Sequence, residues 1–218
     1  MSDTTLTTHS PRRALIVIDV QNEYFTGNML IDYPDPALSL FNIGRAMDAA
    51  KNAGIPILVV QHSAPVTAPI FAKGSHAWKL HDVVLQRPFD HLVEKNMPSI
   101  FTGTDVEAWL KAHDVDTLSI VGYMTHNCNA STIYHASHAG YQLEVLSDAT
   151  GALPYANAAG SVTGEEIHRV FNVVFQSNFA AVDTTDHWMA AVKDGVLLQK
   201  SNVFASHLAG REQALATV

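Results

Sequence analysis

An α/β fold with a mainly parallel sheet is predicted for this chain by three features of its sequence. Six short apolar runs recur along it, stretches with helical patterning separate them, and strands joined by helices imply parallel pairing. At 218 residues, 47% hydrophobic and 16% charged, the chain can bury a full core without dividing in two. A single domain over residues 1–218 is the default expectation.

In order along the chain, the first run is Ala14–Asp19, whose unbroken Ala-Leu-Ile-Val-Ile reads as a strand buried on both faces and ending in a carboxylate. The loop Gln21–Pro36, broken by Gly27 and Pro34-Asp35-Pro36, leads to a helix over Ala37–Ala53. A strand at Pro56–Gln61 precedes the loop Ser63–Lys79, broken by Pro65, Pro69 and Gly74. The next strand, His91–Glu94, runs into Lys95, and after the loop Pro98–Gly103 comes a helix over Asp105–His113. Its start carries a capping-box pattern, Thr104 with Glu107. Then follow the strand Thr117–Gly122, a helix over Asn127–Ala139 and the strand Gln142–Ser147. The helix Gly164–Gln176 carries a second capping box, Thr163 with Glu166, and the strand Ala180–Asp183 and helix Thr185–Val192 complete the series. In the tail from Gly195 to Val218, the apolar groups Val203-Phe204-Ala205 and Ala214-Leu215 could dock on the body or on another subunit.

Three reactive residues stand where predicted strands end. Cys128, the one cysteine, lies in Gly122-Tyr123-Met124-Thr125-His126-Asn127-Cys128, between a strand and a helix start. A helix N-terminus offers free N–H groups and partial positive charge, which lowers a thiol pKa and suits a nucleophile; a small buried hydrophobe is the other reading. Asp19 and Lys95 are candidate partners for the thiolate, or a strand-end cap and a solvated strand end. Carboxyl ends of parallel strands converge on one crevice, so residues distant in sequence can meet there.

Three separated motifs resemble those of the isochorismatase-like cysteine hydrolases, the superfamily that includes nicotinamidases and carbamoylsarcosine amidases. They are Asp19-Val20-Gln21-Asn22-Glu23-Tyr24-Phe25, then Glu94-Lys95-Asn96-Met97-Pro98-Ser99-Ile100-Phe101, then Gly122 to Cys128 followed by Ser131-Thr132. Ser147-Asp148-Ala149-Thr150 lies where the family usually has an Asp-Ala pair, and the likeness runs from about Arg13 to about Lys193. The resemblance implies a three-layer α/β/α sandwich of Rossmann-like form with strand order 3-2-1-4-5-6. It implies a catalytic triad of Asp19, Lys95 and Cys128, an oxyanion hole from the backbone N–H groups of Met124 and Cys128, and a cis peptide at Tyr123-Met124. The activity it implies is hydrolysis of a carbon–nitrogen bond in a small amide, lactam or carbamoyl compound through a thioester. The turn before Cys128 looks closest to the metal-independent branch that includes streptothricin hydrolases.

Gln21, Phe25, Trp78, Tyr123 and His126 are candidate substrate contacts on the crevice walls, with Tyr24 beside them; aromatic residues there could equally be core. Asn129 stands where the family has an aliphatic residue, and either hydrogen-bonds inside the protein or faces something polar. The nicotinamidase metal block is incomplete: Val59-Val60-Gln61-His62 has the histidine without the aspartate two residues earlier, although His62, His76 and His81 could form an imidazole site. Neither metal nor cofactor is therefore expected. A formal charge of -8 argues against nucleic acid or an anionic membrane as partner. Met1 to Leu6 lacks a secretory pattern and a lone cysteine cannot form an internal disulfide, so a cytoplasmic enzyme is expected, and the family resemblance adds a homo-oligomer. The alternatives are vinyl ether hydrolysis of the isochorismatase type, or a non-catalytic member that binds a metabolite or senses oxidant through its thiol.

Overall fold

The computed structural model describes residues 10–216; the N-terminal stretch read for a targeting signal lies outside them. Strand β1 (Arg13–Ile18) is followed by a short helix α1 (Glu23–Thr26), helix α2 (Pro36–Asn52), β2 (Ile57–His62), a second short helix α3 (Asp82–Leu85), β3 (His91–Lys95), α4 (Val106–Ala112) and β4 (Thr117–Tyr123). After a π-helical turn, Thr125–Asn129, come α5 (Ala130–His138), β5 (Gln142–Gly151), β6 (Tyr155–Asn157), β7 (Gly160–Val162) and α6 (Gly164–Val174). A second π-turn, Phe175–Phe179, leads to β8 (Ala181–Asp183), α7 (Thr185–Asp194) and α8 (Val203–Ala216).

Six strands form one parallel sheet in the order β3-β2-β1-β4-β5-β8, and β6 and β7 form a separate antiparallel hairpin. With the hairpin set aside, this is the expected 3-2-1-4-5-6 order. Alternate residues of β1 serve opposite layers. Leu15 and Val17 join Ile43, Met47 and Val84 of α2 and α3 and Trp188 of α7; Ile16 and Ile18 join Leu110 of α4, Ile133 of α5 and Phe175. A central strand covered on both faces is why its sequence is apolar without alternation. Among the described residues no helix is long and apolar enough to cross a membrane.

At the end of the sheet away from the strand carboxyl ends, Glu144 of β5 ties four segments together. Its buried carboxylate accepts from Arg13 Nε and Nη2 at 2.9 and 2.8 Å, from Ser119 Oγ at 2.8 Å, from Trp188 Nε1 at 3.0 Å and from the Leu198 N–H at 3.1 Å. Arg13 also donates to the Val196 carbonyl. The five donors compensate for taking a carboxylate out of water.

Several sequence expectations change. The capping box at Thr163 and Glu166 forms, but the one at Thr104 and Glu107 does not: Thr104 donates to the Ile100 carbonyl, Glu107 pairs with Lys111 at 2.6 Å, and the cap position falls to Asp105 with no side-chain bond. The predicted helix over Asn127–Ala139 is a π-turn that becomes α-helical only from Ala130. β5 runs four residues past the predicted Ser147, to Gly151, and the hairpin, α1, α3 and α8 are additions.

Candidate active site

The carboxyl ends of β1 to β4 meet in one small volume. Asp19 directly follows β1, His62 ends β2, and Lys95 ends β3 opposite His62 in the strand register. From there the Lys95 ammonium donates to Asp19 Oδ2 at 2.8 Å, His62 Nδ1 at 3.3 Å and Cys128 Sγ at 3.3 Å. One oxygen or nitrogen each of Asp19 and His62 and the Cys128 sulfur all lie within 4.8 Å of one another. Asp19 and Lys95 side chains are fully buried, and Asp19 Oδ1 has no hydrogen-bond partner among the described residues. The three residues expected to meet do meet, and His62 joins them.

Local backbone geometry brings Cys128 to this point. Gly122 pairs with Ile18 at φ +102°, and a β-carbon there would lie 2.1 Å from the Ile18 carbonyl oxygen, so only glycine lets β4 approach β1 this closely. Asp19 itself has φ +52°, a left-handed conformation that turns the chain out of β1. The Tyr123–Met124 peptide is cis. Beyond it, the Met124 carbonyl accepts from the N–H groups of Asn127 and Asn129, while the Met124 N–H donates to no protein acceptor among the described residues. Asn129 answers its open question by facing inward and donating from Nδ2 to the Gly122 carbonyl at 2.9 Å, which holds the π-turn against β4.

The electrostatics correct one expectation. The Cys128 thiol is pushed up rather than down: burial is the largest influence, the Asp19 charge adds to it, and the Lys95 ammonium only partly offsets them. The sulfur sits inside a π-turn that runs directly into α5. Lys95 is held charged, its burial outweighed by Asp19 and Cys128. His62 is lowered, first by burial and then by Lys95, and stands neutral. The resting group is therefore an ion pair beside a neutral thiol and a neutral imidazole.

The remaining predicted contacts divide. Gln21 is not on a substrate wall: its Nε2 donates to the His62 and Trp78 carbonyls and its Oε1 accepts from the His62 N–H, so the whole amide ties β1 to β2 and the following loop. Tyr123 is core, fully buried with its hydroxyl 2.7 Å from Ser39 Oγ and its ring against Tyr24 and Phe25. Phe25 is half-buried between Tyr123 and His81. Trp78 is half-buried, its indole N–H donating to Ser63 Oγ.

His126 has both ring nitrogens buried and, among the described residues, without a hydrogen-bond partner; it lies 5.0 Å from the Tyr155 ring and is lowered to about 4 by burial and by His168. His168, also lowered to about 4 by burial, backs the wall 3.0 Å from Thr125 Oγ1. Tyr155, from the hairpin, and buried Tyr24 both resist ionisation, first because of burial and then because a tyrosinate there would be repelled by an ionised Cys128. Sequence reasoning named His62 only as part of a possible imidazole site with His76 and His81, and it missed Tyr155. The strand-end position of His62 carried a signal; the three-residue strand holding Tyr155 did not.

A metal does not fit here. Asp19, His62 and Cys128 could offer three ligand atoms, but Lys95 already bonds one atom of each and places a positive charge where the ion would sit. His76 is exposed and His81 Nδ1 accepts from the Val83 N–H at the start of α3, so the three histidines do not assemble.

Comparison with known proteins supports the fold and the family. An isochorismatase-family crystal structure from Burkholderia xenovorans LB400 superposes with a TM-score of 0.94 at 57% identity, covering 94% of this chain and 99% of that one. The uncharacterized isochorismatase family protein YddQ of Bacillus subtilis (strain 168) is 29% identical over 178 residues, 81% of this chain and 98% of its own. The ureidoacrylate amidohydrolase RutB of Methylobacterium radiotolerans is 30% identical over 169 residues, 62% of this chain and 66% of its own. The isochorismatase domain matches residues 13–187, a span that holds all six sheet strands and every residue of the group around Lys95, and the chain thus belongs to the isochorismatase-like hydrolase family.

Proposed function

We propose that this protein is a cysteine hydrolase that opens a carbon–nitrogen bond of a small molecule through a thioester, with Asp19, Lys95 and Cys128 as its catalytic residues. The observation that carries the reading is the Lys95 ammonium within hydrogen-bonding distance of both the Asp19 carboxylate and the Cys128 sulfur in a fully buried position. Likeness to an amidohydrolase supports the bond type.

Because the thiol rests neutral, its proton leaves during attack. As Sγ bonds to the carbonyl carbon, Asp19 takes the S–H proton and Lys95 keeps the carboxylate in place. The carbonyl oxygen becomes an oxyanion that accepts from the free Met124 N–H, with the Cys128 N–H as second donor; one such donor is typically worth about 3–4 kcal/mol of barrier. Asp19 then passes the proton to the leaving nitrogen, the carbon–nitrogen bond breaks and the thioester remains. Water gives a proton to Asp19, adds to the thioester, and the acid departs as the thiol recovers its proton.

His126, Tyr155 and Tyr24 form the acyl side of the crevice in this reading. The unpartnered nitrogens of His126 suit an uncharged polar group, since at neutral pH the ring offers one donor and one acceptor. Intact-mass analysis after incubation with amides, lactams and carbamoyl compounds tests the proposal. A substrate-sized adduct on the wild type that is absent from Cys128→Ala is expected; turnover by Cys128→Ala at the wild-type rate would overturn it.

A further inference from the structure

Lys95 reaches the centre of the site with its side chain fully buried, and an ammonium has three N–H groups and no lone pair. Each N–H has one acceptor: Asp19 Oδ2 at 2.8 Å, His62 Nδ1 at 3.3 Å and Cys128 Sγ at 3.3 Å. Two of these acceptors belong to the proposed reaction, and His62 does not. His62 is nevertheless held at both backbone and ring. Its N–H donates to Gln21 Oε1 at 2.8 Å and its carbonyl accepts from Gln21 Nε2 at 2.9 Å, so one amide clamps the backbone. Its ring meets the Phe71 ring edge to face, with centroids 5.2 Å apart, and the Phe71 N–H donates to the buried Glu23 carboxylate at 3.0 Å. A neutral imidazole that accepts at Nδ1 carries its hydrogen on Nε2, so the ring is fixed in one tautomer as well as in one place.

We propose that His62 is a positioning residue: by taking the third ammonium N–H it keeps Lys95 shared between Asp19 and the Cys128 sulfur. Without that acceptor one N–H is buried and unbonded. The ammonium then turns toward Asp19, whose charged oxygen is the strongest acceptor within reach, at the expense of the sulfur. Thiolate formation loses the one group that opposes burial of the charge. The consequence for turnover rests on the thioester reading, whereas the positioning itself is read at the thiol, without any substrate, through its rate of alkylation.

Intact-mass kinetics with iodoacetamide at about pH 8.5, near the pKa of a free thiol, test it, since Cys128 is the one cysteine of the chain. Asparagine and leucine are close in size and shape, and only asparagine puts an oxygen near the place of Nδ1. His62→Leu should label roughly ten-fold more slowly than the wild type, the change for one pKa unit in the thiol, and His62→Asn should stay within about three-fold of the wild type. His62→Ile, which suits a strand end and offers no acceptor, should match His62→Leu and takes its place if that variant does not fold. In a Lys95→Met background the slowing by His62→Leu should disappear, because His62 acts through the ammonium. Equal slowing by His62→Asn and His62→Leu, wild-type labelling of His62→Leu, or an undiminished effect of His62→Leu in Lys95→Met overturns the proposal. Labelling needs no thioester, so this pattern together with no adduct from the amide panel would overturn the thioester reading alone.

Discussion

Replacing Gly122 with alanine tests how the active-site geometry is held, because the position combines a steric and a torsional demand that can be sized separately. The new β-carbon would start 2.1 Å from the Ile18 carbonyl oxygen, where even 3.0 Å is scarcely ever tolerated, so β1 and β4 must separate by about 0.9 Å. Overpacking of this kind costs about 1–3 kcal/mol, and a residue with a β-carbon held at φ +102° costs about 1–3 kcal/mol more. A central sum of about 4 kcal/mol, at about 2–4 °C per kcal/mol in a chain of this size, lowers Tm by roughly 8–16 °C. Separating the strands also moves Asp19, which follows Ile18, away from Cys128, and a displacement near 1 Å is worth on the order of 100-fold in turnover. Thermal melting and steady-state kinetics on Gly122→Ala measure both effects. Gly54→Ala is the control, with φ +69° but nothing within 4 Å of the new carbon, and it should lose about 2–8 °C with turnover unchanged. If Gly122→Ala melts no lower than Gly54→Ala and turns over normally, the close approach of β1 and β4 does not hold the site.

Acid sensitivity should come from the histidine wall. His126 and His168 have folded pKa values near 4, below the unfolded value, so the unfolded chain binds more protons between about pH 6.5 and 4; each costs up to about 1.4 kcal/mol per pH unit over that window and nothing further below it. His168→Gln should flatten the fall in Tm between pH 6.5 and 4, and an unchanged slope would count against this assignment. Cys128 should alkylate with iodoacetamide more slowly than a free thiol at pH 8.5, and Lys95→Met should slow it further by removing the one group that opposes burial; fast labelling at pH 7 would mean a resting thiolate. Asp19→Asn should abolish turnover and leave ligand affinity within about three-fold, a split that retained turnover with weakened binding would contradict.

The sheet was legible because its central strands are buried on both faces and therefore written in unbroken apolar residues, as in Ala14 to Ile18. Positions at strand ends were equally readable, which is how Asp19, Lys95 and Cys128 emerged together. What escaped depended on contacts with no local trace. Thr104 and Glu107 have capping-box spacing, yet the nearby Ile100 carbonyl and Lys111 compete successfully for them. Gln21 and Tyr123 lie next to the site in sequence, but their polar atoms are taken by His62, Trp78 and Ser39. The hairpin bearing Tyr155 has two exposed three-residue strands, too short for an alternation to register.

The Glu144 knot sets where the chain can be shortened. A chain ending after Ser201 keeps Val196 and Leu198, and with them the acceptor for Arg13 and the backbone donor to Glu144, while it removes α8. Ending after Asp194 instead leaves a buried carboxylate one donor short and an arginine without its second acceptor, at the opposite end of the sheet from the crevice. The last segment bonded to Arg13 and Glu144 is a stretch without regular structure, Val196 to Leu198, which ends eleven residues beyond the limit of the family domain at residue 187. Tags, fusions and proteolytic trimming meet a boundary there, set by hydrogen bonds to the Arg13 and Glu144 side chains rather than by the end of a helix.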